Sequence, residues 1–170
     1  SPAYINIYAL DFSAQMMSAF ENAPHVGGVM YEGDDEKIAK FFMMINQILT
    51  ERKKLFRGGN YSQYVQVNGV KLPMILIVVD NVNAFNEKTS EKYLQDLITL
   101  SKEGVSHGIY LLLTAAGFGS AGIPNRIAEN IKTVIKNIAP DGKITLSHKE
   151  LLGTWEENAC LFASGQTVTG

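Results

Sequence analysis

The chain has 170 residues, 46% hydrophobic and 19% charged, with a formal net charge of −2. That composition excludes an intrinsically disordered chain, and the near-neutral balance gives no broad electrostatic footprint for nucleic acid. No apolar run reaches the roughly 18 residues that cross a bilayer, so any membrane attachment is expected outside this sequence.

Ile5 to Leu10 reads as a strand ended by Asp11, and Ser13 to Glu21 as a short helix broken by Pro24, Gly27 and Gly28. Val29 to Tyr31 is a brief extended piece. Asp34 and Asp35 have the character of a helix N-cap with acid in the first turn. The helix that follows is the longest, with Ile38, Phe41, Phe42, Ile45, Ile48, Leu49, Leu55 and Phe56 on one apolar stripe. Arg52 interrupts the stripe, and Gly58-Gly59 ends the helix. Tyr61 to Val67 gives no clear signal, and Asn68-Gly69 predicts a turn.

Leu72 to Asp80 is continuously apolar up to its final carboxylate, the pattern of a strand buried on both faces of a parallel sheet. Ser90 is expected to open a helix carrying Tyr93, Leu94, Leu97, Ile98 and Leu100, which Gly104 ends. Ile109 to Thr114 is a second buried-type strand. Pro124 to Asn130 predicts a short helix and Ile131 to Ile135 a strand. Short strands are expected around Ile144 and at Ala159 to Ala163. Alternating strands and helices imply one α/β layered domain with right-handed crossovers.

In open α/β sheets ligands sit outside the carboxyl ends of the strands, which draws attention to Asp11, Asp80 and Thr114. An apolar strand ending in Asp suits a magnesium-holding acid beside a nucleotide, although Asp also starts turns. A phosphate cradle needs a glycine-rich loop ending in Lys-Ser or Lys-Thr. Arg57-Gly58-Gly59 follows a helix, and Gly117-Phe118-Gly119-Ser120 carries no lysine, so neither qualifies. His25, His107 and His148 are scattered and form no triad or metal-ligand spacing. Lys53, Lys54 and Arg57 complement a helix C-terminus. Cys160, the single cysteine, reads as a core residue and Trp155 as core or a partly buried surface ring, and one thiol fits a reducing compartment.

Several segments together resemble one family. Ile5-Asn6-Ile7-Tyr8-Ala9-Leu10-Asp11-Phe12, Ala23-Pro24-His25-Val26, Glu51-Arg52-Lys53-Lys54-Leu55-Phe56 with Tyr64, Leu72 to Asp80, Gly104 to Ala115, and Ile123-Pro124-Asn125-Arg126-Ile127 are similar, in order and spacing, to motifs of FtsK/SpoIIIE ATPases. The resemblance runs from Tyr4 to about Gly153. Asp80-Asn81 in place of Asp-Glu makes it most like the EssC/EccC-like ATPases of type VII secretion.

The resemblance implies a RecA-like P-loop NTPase core with a mostly parallel sheet, N-terminally incomplete because the chain opens where the phosphate-loop helix ends. It implies a parent at the bacterial plasma membrane, with this chain as a cytoplasmic domain, tandem ATPase domains as neighbours and small helical secreted proteins as substrates. ATP and magnesium would belong to the parent, with no cofactor in this chain. Asp80, Asn81 and Thr114 would form a vestigial nucleotide face, with Asp80 the magnesium ligand and Arg126 a charge stabiliser only in an active domain. Asn81 stands where a glutamate would polarise water, and a neutral amide is no base. Thr114-Ala115-Ala116 lacks the glutamine often found there, and Gly165-Gln166 replaces Gly-Arg. These departures lead us to expect a degenerate domain used in assembly, regulation or substrate recognition. Homo-oligomerisation is compatible with the family. The alternatives are a truncated piece of an active export motor and, with the charge and Asn81 against it, a DNA translocase.

Overall fold

A computed structural model describes residues 1–115, 122–137, 143–148 and 168–169. Cys160, Trp155, the strand expected at Ala159 to Ala163, Gly117, Gly119, Ala116 and Gly165-Gln166 lie outside the described residues. Two compact units are present, Ser1–Ala128 and Glu129–Gly170.

In the first unit four strands make a wholly parallel sheet. They are β1 (Ile5–Asp11), β2 (Val26–Tyr31), β3 (Met74–Asp80) and β4 (Ile109–Leu113), in the order β2-β1-β3-β4. The chain leaves β1 to one side for β2 and returns on the other side for β3. The switch in direction therefore falls between β1 and β3, whose last residues, Asp11 and Asp80, are register partners. That is where open α/β sheets bind ligands. Ile75, Ile77 and Val79 of β3 are buried, and so is Val78 on the opposite face, as continuous apolarity predicts.

The described residues of this unit include the helices α1 (Asp35–Phe56), α2 (Tyr61–Asn68), α3 (Val82–Lys88), α4 (Leu94–Glu103) and α5 (Asn125–Ala128). The core face of α1 carries Ile38, Phe41, Phe42, Ile45, Leu49, Arg52 and Phe56. Phe42 stacks on Tyr93 with ring centroids 4.4 Å apart, and Phe85 meets Phe12 edge-on at 5.1 Å. An aromatic column thus runs from the end of β1 through α3 to α1 and the start of α4.

Several expectations need correction. Arg52 does not interrupt the stripe of α1. Steps of four, three and four residues lead from Ile45 through Leu49 and Arg52 to Phe56, so Arg52 occupies a core slot and Leu55 points outward, 48% exposed. Its guanidinium donates to the carbonyls of Pro73 at 2.6 Å and His107 at 2.7 Å. Asp34 sits at the N-cap, but its carboxylate accepts from the Tyr31 N–H at 2.9 Å and bonds no helix N–H. The segment after Asp11 is a 3₁₀ turn at Met16–Phe20. Tyr61 to Asn68 is a helix, started by a reciprocal capping box between Asn60 and Gln63.

No helix opens at Ser90. Ser90 and Glu91 both have positive φ, 52° and 57°, which breaks the chain between α3 and α4. In the second unit, β5 (Thr133–Asn137) pairs antiparallel with β6 (Lys143–His148), and β6 with β7 (Val168–Thr169). The strand expected at Ile131 to Ile135 is thus shifted by two residues.

Candidate nucleotide face

Asp80, Asn81 and Thr114 come together at the carboxyl ends of β3 and β4. Register brings them there: Val79 pairs with Leu113, so the residues that follow face one another. The Thr114 hydroxyl donates to Asp80 Oδ1 at 2.6 Å and accepts from the Asn81 N–H at 2.9 Å. The Val82 N–H donates to the Thr114 carbonyl at 2.9 Å, extending the link into α3. Asn81 has φ 63° and ψ 74°, and its Oδ1 accepts from the Ala84 N–H at 3.2 Å. It is the N-cap of α3.

Asp11, the third strand-end candidate, is 1% exposed. Its Oδ1 accepts from the N–H groups of Ser13 and Gln15, each at 3.2 Å, and its Oδ2 from that of Met17 at 3.1 Å. This carboxylate is a staple for the 3₁₀ turn, since a buried charge must be matched by donors. The Phe12 N–H reaches across the switch to the Asp80 carbonyl at 3.1 Å. At the neighbouring end of β2 the Tyr31 hydroxyl donates to Glu21 at 2.5 Å. That bond, with burial and the charges of Glu21, Asp11 and Asp34, pushes the phenol up to about 12.

Arg126 lies on α5, which packs beside α4. The hydrogen bonds joining Asp80, Asn81 and Thr114 close without it.

The fit of magnesium and ATP can be judged from these groups. Asn81 has its amide oxygen on a helix N–H, Asp11 has both oxygens on backbone donors, and Asp80 has one oxygen on Thr114. Among the described residues no group of three or more His, Cys, Asp or Glu side chains could hold a metal ion. The rim thus offers one half-engaged carboxylate, Asp80, which suits magnesium only alongside nucleotide phosphates and ligands from other segments. Asn81 cannot take a proton from water.

Of the other ionisable candidates, His107 and Lys53 have structural partners. His107 presents Nδ1 to the Glu103 carbonyl at 2.7 Å and stacks on Phe56, with ring centroids 5.7 Å apart. The His25 carbonyl accepts from the Ile7 N–H, Lys53 pairs with Glu103 at 2.6 Å, and Arg57 forms the left-handed C-cap of α1. Burial lowers the Arg52 guanidinium and raises the Tyr61 phenol. Sequence reasoning missed the capping role of Asn81 and the staple at Asp11. The Asp11-Phe12-Ser13 run, an Asx-turn pattern, was the available signal for the second.

No family model matches the chain. It is 30% identical over 136 residues to the type VII secretion system protein EssC of Staphylococcus aureus (strain MRSA252), covering 78% of this chain and 9% of EssC. It is 28% identical over 144 residues to the ESX secretion system protein YukB of Bacillus subtilis (strain 168), covering 83% of this chain and 9% of YukB. The chain therefore spans less than a tenth of the length of these relatives. Among solved structures, EssC (ATPases 2 and 3) from Geobacillus thermodenitrificans superposes with a TM-score of 0.77 at 22% identity, over 86% of this chain and 32% of that one. Thermomonospora curvata EccC (ATPases 2 and 3), in complex with a signal sequence peptide, gives 0.75 at 17% identity, over 88% and 31%. At these identities the superpositions speak for the fold alone. The chain is a homologue of one segment of the type VII secretion proteins EssC and YukB, and it carries the α/β fold of P-loop ATPase units.

Proposed function

We propose that this chain is one ATPase-type unit of a longer type VII secretion protein, working in assembly with neighbouring units and in recognition of the exported protein without hydrolysing ATP itself. The observation that carries this reading is Asn81. The residue after the Asp80 carboxylate, where a hydrolase needs a base, is a neutral amide engaged in capping α3. ATP and magnesium would then serve other units of the parent. Asp80, Asn81 and Thr114 would be the remnant of a nucleotide face, and Arg126 would have no nucleotide charge to offset.

The relatives motivate the setting. Solved neighbours include cytoplasmic domains of EssC and of Thermomonospora curvata EccC, which supports a place on the cytoplasmic side of a bacterial membrane. No helix among the described residues is long and apolar enough to cross a membrane, so attachment would come from elsewhere in the parent. The signal sequence peptide bound to EccC supports recognition of a secreted helical protein as the unit's task.

The test is the stoichiometry of Mg–ATP binding to the parent by calorimetry, with and without Asp80→Asn. An unchanged number of sites is expected. Loss of one site would make this unit a working nucleotide binder and favour the reading of the chain as a piece of an active motor.

A further inference from the structure

We infer that Asp80, Asn81 and Thr114 form a structural clasp, and that the backbone commits position 81 to a helix cap, so that a catalytic glutamate cannot be restored there by a single substitution. The inference rests on the non-hydrolysing reading and goes further, because it gives a structural reason for an amide, and not a catalytic carboxylate, after Asp80.

Three bonds converge on one residue. The Asn81 N–H is held by the Thr114 hydroxyl at 2.9 Å, its carbonyl accepts from the Phe85 N–H at 3.0 Å, and its side chain accepts from the Ala84 N–H at 3.2 Å. All three are met at φ 63°, in the left-handed region. Glycine, lacking a Cβ, enters that region freely, and asparagine and aspartate offset the Cβ–carbonyl crowding with a local side-chain hydrogen bond that alanine and longer residues do not make. Asparagine and aspartate also carry the short acceptor that an N-cap requires, and glutamate is not among the preferred caps. At position 81 glutamate would thus carry the left-handed strain that Glu91 carries at φ 57° and would in addition lose the bond to Ala84.

The clasp joins three elements. Thr114 follows β4, Asp80 ends β3, and Asn81 caps α3, whose Phe85 is fully buried within the aromatic column. Disturbing position 81 therefore loosens the core as well as the rim.

The test is the order of melting temperatures among Asn81→Gly, Asn81→Ala, Asn81→Asp and Asn81→Glu, with Mg–ATP hydrolysis by the Asn81→Glu parent as a second readout. An ordinary exposed helix position ranks alanine above glycine. The clasp reverses that order: Asn81→Gly and Asn81→Asp should stay within about 2 °C of the wild type, and Asn81→Ala and Asn81→Glu should fall by about 5 °C. The Asn81→Glu parent should hydrolyse no faster than the wild type. Alanine equal to or above glycine overturns the clasp, as does a gain of hydrolysis in Asn81→Glu. Either outcome is distinct from failure of the non-hydrolysing reading, which is decided by Mg–ATP bound at this unit in the wild type.

Discussion

Thr114 and Asp80 are linked by a 2.6 Å hydrogen bond between the ends of adjacent parallel strands, and the same hydroxyl accepts the N–H of Asn81. One side chain therefore holds both residues of the Asp-Asn pair. Thr114→Val removes the hydroxyl while keeping the shape and should cost about 0.5–1 kcal/mol, the scale of partly exposed hydrogen bonds. Thr114→Ser should restore most of it. Urea denaturation of the two variants checks the prediction.

Arg52 anchors the opposite end of the sheet. Its guanidinium ties α1 to Pro73, just before β3, and to His107, just before β4, while lying over the Tyr61 ring at 5.6 Å. Arg52→Leu should destabilise by about 2–3 kcal/mol, because two partly buried carbonyls lose a charged donor. Arg52→Lys should recover little, since an ammonium cannot reproduce the planar fork. Chemical denaturation gives both values.

Gly104 lies in ordinary helical conformation at φ −62°, so its requirement is steric. A Cβ there would sit 2.5 Å from the carbonyl oxygens of both Leu100 and Ile109. Gly104→Ala should lower stability by about 1–3 kcal/mol through overpacking against backbone that cannot yield. A lowered melting temperature is the expected readout, and an unchanged one contradicts the tight approach of α4 to β4.

The Tyr31–Glu21 bond gives a pH dependence. The folded phenol is raised to about 12, chiefly by donating to Glu21, from an ordinary value of 10.0. A raised value means that the protonated form is the one stabilised by folding. Its contribution is complete below pH 10 and is lost as pH rises towards 12. Wild type should therefore lose stability relative to Tyr31→Phe across that window, and a tyrosinate absorbance titration of wild type should show a late-ionising phenol that is absent from Tyr31→Phe.

Much of the fold was legible because its strongest signals are local. The continuous apolar run to Asp80, the periodic stripe of α1 and the short apolar run before Thr114 each specify an element by local pattern and length. The capping box at Asn60 and Gln63 was present in the sequence too, but α2 has a single buried residue, Tyr61, and so no apolar stripe to announce it. α3 escaped notice because seven residues are too few for a periodic pattern, and the left-handed Ser90 and Glu91 cannot be read from composition. At the candidate site, strand-end logic found Asp80, Asn81 and Thr114. It could not tell that Asp11, equally a strand-end carboxylate, is saturated by backbone donors, since that depends on how the following turn folds back.

The most direct measurement is phosphate release from Mg–ATP by the longer secretion protein, comparing the wild type with a variant carrying Asp80→Ala in this unit. If the unit recognises and assembles without hydrolysis, the two rates agree. A fall in rate with Asp80→Ala, in a protein that remains folded and assembled, would contradict the account and assign this rim to a working ATPase.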